Sequence, residues 1–174
     1  MAININSFLL LLLASLLAIY IFFKPMEIKA YNTKETAQLE LKEFRLYDIG
    51  SQGLKMMLQG DFGKRFNDRY EISNIDYINR SATKPQKISA SSSIYSDRML
   101  YLNGNVIYQQ GEDFTFASDE ARYDEKMKRA YTSGKFNLKS RDGIFSGTAL
   151  EYNSETQNVK AKAVAATYNL NKVN

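Results

Sequence analysis

The chain has no cysteine, no histidine and no tryptophan, and only two prolines in 174 residues. Without cysteine there are no disulfides, no thiolate metal sites, no cysteine nucleophile and no lipidated cysteine. Without histidine the commonest general base and the commonest transition-metal ligand are gone, and a Ser-His-Asp triad cannot be built. Charge is also missing from one place: no Asp, Glu, Lys or Arg precedes Lys24. Beyond that point acids and bases alternate to a formal net charge of +4. No basic block of the kind that grips nucleic acid is present. A solvated mixed-charge surface follows, with some attraction to anionic head groups.

What is there begins with the longest apolar run. Phe8 to Phe23 reads FLLLLLASLLAIYIFF. Extended back to Ile3 it covers about 21 residues, or roughly 31 Å of helix, enough for a bilayer core. A cleaved signal peptide is the rival reading, but the basic n-region and an A-x-A cleavage pattern are both missing. Residues 1–24 are therefore expected to be a retained transmembrane anchor, 25–38 a polar linker opened by Pro25, and 39–174 one domain of ordinary size. Ala14, Ser15 and Ala18 give the helix a small-residue face suited to packing on other helices, or simply to lipid. Orientation stays open on charge alone. Lys24 argues mildly against export of the domain, and nothing basic holds the N-terminus inside.

Twelve Tyr and ten Phe, with abundant Asn, Gly, Ser and Asp, point to strands and tight turns. Leu39 and Leu41 alternate, then Phe44 and Leu46 alternate on the other phase, as across a bulge. Residues 48–53 read as a turn, 54–62 as a strand turning near Gly60, and 70–78 as a strand in which Ile72 is out of phase with Ile75 and Tyr77. Residues 81–86 read as a loop, and 119–131 as strand, Tyr-Asp turn and strand rather than helix. Tyr95, Tyr123 and Tyr152 recur 28 and 29 residues apart, and Leu58–Phe62 mirrors Leu102–Val106. Such a recurrence of strands and turns indicates a solenoid-like or jelly-roll architecture. Gly104, Gly134, Gly143 and Gly147 are read as turn glycines, with Gly134 where the backbone turns or approaches closely. An apolar alternation runs through Val159, Ala161, Ala163 and Ala165.

No catalytic constellation stands out. Glu71 with Asp76, or Asp119 with Glu120, has no spacing that separates it from solvated strand-edge charge. The loops at Asn103-Gly104-Asn105 and Arg141-Asp142-Gly143 are too sparse for calcium and read as hairpin turns. No metal or cofactor is expected, and no enzymatic activity. What remains is an apolar interior lined by Phe44, Leu46, Leu58, Leu102, Val106, Phe114, Phe116, Phe136 and Leu138. In a closed sandwich these make a dry core, as in a membrane-anchored assembly scaffold that binds only protein. In a splayed one they line a groove for acyl chains.

The stretch Ser96-Asp97-Arg98-Met99-Leu100-Tyr101-Leu102-Asn103-Gly104-Asn105-Val106 resembles the D-R-M-L-Y-L-x-G-x-V segment of the LptC family, the bitopic component of the bacterial lipopolysaccharide export system. Tyr131-Thr132-Ser133-Gly134 followed by Asp142-Gly143-Ile144-Phe145-Ser146-Gly147 resembles that family's later glycine pattern. The chain departs from the pattern in having no basic residue before the anchor. The resemblance covers about residues 1 to 170 and is strongest from about 88 to 150. It implies an all-β fold, a twisted antiparallel β-jelly roll open along one side, placed in the periplasm behind a single inner-membrane helix. It also implies lipopolysaccharide in the interior, received from an inner-membrane ABC transporter and passed to a soluble periplasmic LptA-like carrier by edge-to-edge strand addition. The transporter would meet the first strands and the anchor. The carrier would meet the C-terminal edge at Val159, Ala161, Ala163, Ala165 and Tyr168, with Lys160 and Lys162 restraining aggregation.

Overall fold

The computed structural model describes residues 36–168, apart from positions 52 and 82. The expected anchor, with Ala14, Ser15 and Ala18, and the linker up to residue 35 lie outside the described residues. Among the described residues every regular element is a strand. They are Leu39–Gly50 (β1), Gly53–Arg65 (β2), Arg69–Asn79 (β3), Gln86–Ser96 (β4), Met99–Gln110 (β5), Phe114–Asp124 (β6), Arg129–Tyr131 (β7), Lys135–Lys139 (β8), Gly143–Asn153 (β9) and Asn158–Tyr168 (β10). All pairings are antiparallel, and the chain is a meander in which each strand lies beside the next. β7 and β8 share one position in the sheet: both pair with β6 and β9. Among the described residues, β1 and β10 each have a single partner strand.

Turn chemistry fixes the hairpins. Asp97 and Arg98 both take positive φ (46° and 61°), the conformation of a two-residue turn matched to strand twist. The β6–β7 and β9–β10 turns share one device. Asp124 Oδ1 accepts from Met127 N at 2.9 Å, and Asn153 Oδ1 accepts from Glu155 N and Thr156 N at 2.9 and 3.1 Å. Each of these turns ends on a left-handed residue, Lys128 at 53° and Gln157 at 55°. The tyrosine recurrence is thereby explained. Tyr95, Tyr123 and Tyr152 are each the penultimate residue of a strand entering a hairpin at the same end of the sheet. Through Leu100 and Ala130 they stand in one cross-strand row. One period is two strands.

Left-handed residues also occur where no turn is. Glu43 (47°), Asn74 (49°), Gly104 (74°), Asn105 (49°), Ala149 (53°) and Ala163 (48°) lie mid-strand. The register aligns them. Glu43 falls between the pairs Lys42↔Phe62 and Phe44↔Gly60, and Asn74 between Ser73↔Ser92 and Ile75↔Ala90. Gly104 and Asn105 fall between Asn103↔Glu120 and Val106↔Ser118. Ala149 falls level with the gap separating β7 from β8, and Ala163 falls in the register shift of β10. Together they mark one line across the whole sheet. At that line an extra residue bends the strand and shifts the side-chain phase, as a bulge does.

The sequence phases follow from this line. Inward positions run i, i+2, then i+5, i+7: Leu39, Leu41, Phe44, Leu46 in β1 and Tyr70, Ile72, Ile75, Tyr77 in β3. Several expectations are corrected by it. Gly60 is not a turn, because β2 runs through it to Arg65. Asn103-Gly104-Asn105 is a bulge inside β5, not a hairpin. Gly147 lies within β9, where an added Cβ would come 2.8 Å from Lys162 O and 3.0 Å from the Phe136 ring. Of the four glycines, Gly143 does close a hairpin: Ser140 N donates to Gly143 O at 2.8 Å and Gly143 N to Ser140 O at 3.3 Å.

Gly134 is corrected most. It lies in the break between β7 and β8, its φ is ordinary, and the nearest atom to an added Cβ is Thr132 Oγ1 at 3.9 Å. Gly104 is the opposite case, with φ of 74° and Ser91 Oγ at 2.7 Å from an added Cβ. Gly104→Ala is expected to cost about 2 kcal/mol or more, from left-handed strain plus the clash. Gly134→Ala is expected to stay within about 0.5 kcal/mol of wild type. Paired thermal melts check this, and equal losses at both sites would refute the assignment.

Candidate functional site: the inward face of the folded sheet

Residues directly opposed in an antiparallel ladder share a face. The buried cluster of Ile75, Ala90, Leu102 and Val106, backed by Leu58, Ile72, Ile88, Leu100 and Ala121, shows which face is inward. On one side of the bend line, Phe44, Gly60, Ile75, Ala90, Val106, Ser118, Phe136 and Gly147 form the first inward row. Leu46, Leu58, Tyr77, Ile88, Tyr108, Phe116, Leu138, Phe145 and Ala166 form the second. Gln110 and Phe114 belong to a third. Across the line, Leu41, Gly63, Ile72, Ser93, Leu102 and Ala121 continue the face.

The register thus brings all the expected lining residues onto one face: Phe44, Leu46, Leu58, Leu102, Val106, Phe114, Phe116, Phe136 and Leu138. The side chains interlock there. The Phe116 and Phe136 rings stack with centroids 6.3 Å apart, and Phe114 meets Tyr108 edge-on at 6.0 Å. Sequence reasoning missed Ile75, Tyr77, Ile88, Tyr108, Phe145 and Leu150. The i, i+2, i+5, i+7 spacing is the signal that finds all of them but Tyr108, which follows two extra residues in β5, Gly104 and Asn105.

The buried cluster is continuous across the bend line, with Ile75, Ala90 and Val106 on one side and Leu102, Ile72, Leu100 and Ala121 on the other. In a flat sheet Tyr108 would stand three strand spacings across from Tyr152 and, along the strands, as far off as Phe116 is from Tyr123, on the order of 25 Å in all. Yet its phenol is held above the usual tyrosine range, first by burial and then by the neighbouring Tyr152 and Tyr123. Those two tyrosines lie beyond the bend line, in keeping with a core that is continuous across it.

The β7–β8 break lies on the bend line and is tied down by polar contacts. The buried Thr132 donates its N–H to Leu150 O at 2.9 Å. Ser118 Oγ donates to Lys135 O at 2.8 Å, which leaves the Thr132 hydroxyl to donate to Ser118 across 2.9 Å. The Ser133 hydroxyl and N–H both donate to Glu120, which holds that carboxyl below its usual range.

Burial is uneven along the face. Val106 is 1% exposed and Phe136 3% at the centre, whereas Leu46 is 50%, Val159 57%, Val164 52% and Tyr168 61% on the two edge strands. The apolar face is covered in the middle and open at both free edges. At the β10 edge the sequence phase needs correction. The left-handed Ala163 shifts it, so that Val159 and Ala161 continue inward as Val164, Ala166 and Tyr168, and Ala165 points outward. Tyr168 packs edge-on against Phe145 with centroids 5.4 Å apart. The Lys160 and Lys162 side chains are exposed on this edge.

An antiparallel meander bent along one line, apolar inside and unpaired at both edges, defines an open, jelly-roll-like β domain. Its fold is similar to that of the crystal structure of LptH, the LptA homologous periplasmic component of the lipopolysaccharide transport device from Pseudomonas aeruginosa. The TM-score is 0.52 at 9% identity, over 75% of this chain and 94% of that one. The family model for lipopolysaccharide-assembly, LptC-related proteins matches residues 8–169. The chain belongs to the LptC family, and its work lies in lipopolysaccharide transport. No curated protein matches the chain.

Proposed function

We propose that this protein receives lipopolysaccharide from an inner-membrane ABC transporter, holds its acyl chains on the inward face, and hands it to a soluble LptA-like carrier in the periplasm. Residues 1–24 anchor it as a single inner-membrane span, with Ala14, Ser15 and Ala18 toward the transporter helices. β1 meets the transporter and β10 the carrier, each by strand addition at an unpaired edge. The protein transforms nothing. A carrier that must release its cargo needs apolar lining rather than reactive groups.

The observation that carries this reading is the exposure gradient. Inward apolar residues are buried at the sheet centre and half-exposed on β1 and β10. A scaffold with a closed core would cover Leu39, Leu46, Val159 and Val164, which stand open here. Each edge offers backbone donors and acceptors beside an apolar strip, so lipid and a partner strand can meet at the same place.

Deleting Val159 to Asn174 is expected to abolish capture of the carrier while transporter association survives. Ala165→Pro is the gentler probe. Ala163 serves less well, since its φ of 48° is closed to proline. Pull-downs of both partners on the same variants decide it. Retained carrier binding with lost transporter binding would reverse the assignment of the two edges.

A further inference from the structure

We propose that β10 selects its partner by charge: the strand that docks on this edge carries carboxylates two residues apart on its outward side, opposite Lys160 and Lys162. This rests on the assignment of β10 to the carrier and names the chemistry by which the carrier is recognised.

The observation is an outward face of one sign. Ala161 lies inward, so its neighbours Lys160 and Lys162 lie outward, in register with Glu151 and Thr148 of β9. Thr148 is paired in turn with Lys135 of β8, and Lys139 lies further along the same strand opposite Ile144. All four lysines are exposed. Among the described residues, Glu151 is the one acid on the outward side of β8, β9 and β10, and Arg129 of β7 holds it at 3.3 Å. No ammonium of the four is within ion-pair distance of a described carboxylate. The opposite edge differs. Glu40, Lys42 and Arg45 mix both signs on the outward side of β1, and Glu40 is held by Lys64 at 3.3 Å.

A strand added beside β10 sets its own outward side chains about 5 Å from Lys160 and Lys162. Carboxylates there are attracted across the ladder, and bases are repelled. Lys135 stands two strand spacings behind Lys162, about 10 Å away, where its field still reaches an approaching partner at low ionic strength. A second copy of this chain is a poor occupant. Its β10 would bring lysines against lysines, and its β1 offers Lys42 and Arg45 along with Glu40. The edge therefore discriminates against its own kind while staying open to an acidic strand.

Full-length chain in nanodiscs of zwitterionic lipid, titrated with the purified LptA-like carrier at low and high salt, tests this. Wild type is expected to lose on the order of tenfold in affinity as salt rises. Lys160→Glu with Lys162→Glu should cost on the order of tenfold at low salt and little at high salt. Lys42→Glu with Arg45→Glu makes the same change of charge on β1 and should leave carrier affinity and its salt dependence unchanged. Replacing the carboxylates of the carrier's docking strand by lysine should restore binding to the Lys160/Lys162 variant, a rescue that a merely structural role would not give. Carrier binding that ignores both salt and the Lys160/Lys162 reversal, or that falls equally in both variants, overturns the proposal. Capture of phosphatidylglycerol vesicles that is lost in the Lys160/Lys162 variant while carrier affinity holds would assign these cations to a lipid surface and overturn it too. Carrier capture that survives deletion of Val159 to Asn174 would instead remove β10 from the carrier interface, and with it the reading on which this one stands.

Discussion

Val106→Asp is expected to remove the folded state of the domain. Val106 is 1% exposed, and Ile75, Ala90 and Leu102 enclose it in the central cluster. A carboxylate there has no cation to pair with in that cluster and costs several kcal/mol, through ionisation in an apolar site or through a shifted pKa. Stabilities of such domains are about 5–15 kcal/mol, and this core is thin, since most inward residues keep some exposure. Ile107→Asp is the matched control. Ile107 is the next residue, points outward and is 38% exposed. Its replacement is expected to change stability by less than about 1 kcal/mol. Far-UV circular dichroism and thermal melts on both variants read the result. A cooperative melt for Val106→Asp, or equal damage from Ile107→Asp, would show that the sheet faces have been assigned the wrong way round.

Lipid contact should follow the same alternation. A photo-crosslinking residue at Phe114 or Phe136 is expected to capture lipopolysaccharide in cells with a working transporter. One at Thr115 or Lys135 should capture little. These are neighbours in β6 and at the start of β8, and adjacent strand residues point to opposite faces. The contrast is strong because Phe136 is enclosed at the centre of the face while Lys135 is solvent-exposed. Phe136 is 3% exposed, so capture there also reports that lipid reaches beneath the covered centre of the face. Equal capture at both phases would end the acyl-binding reading, and the anchored scaffold would take its place.

Much of the strand layout was legible because hairpins and alternation are local. The Tyr-Asp and Tyr-Asn steps before turns announced the two-strand period, and the lining residues fell on one face because pairing with period two is strict. The bend line was legible only in part. In β1 and β3 it shows as a phase break between Leu41 and Phe44 and between Ile72 and Ile75. In β2 and β5 the same break falls on Gly-Asp and Gly-Asn, whose chemistry reads equally well as a turn. The sequence has no means of saying that breaks in separate strands align, since that is a property of register. Gly134 misled for a related reason. A glycine after Thr-Ser reads as an obligatory turn, but here the turn conformation is held by Thr132, Ser118 and Glu120, and the glycine has room to spare. At Ala163 a residue of low left-handed tendency takes that conformation. Composition gives no warning of it, and the phase of the last strand was misread for that reason.

The meander has a consequence for how the domain is made. After β1, every strand pairs with one that has already left the ribosome, β9 with the short β7 and β8 together. Loop closures are therefore brief, and the entropy lost before each new ladder forms is small. Such a sheet can zip forward from its first hairpin during synthesis and never needs β10 to return to β1. At every stage the growing sheet presents one fresh edge, and β10 is the last. The edge assigned here to the carrier is then also the final one to form, so docking competence would be a mark of completed synthesis.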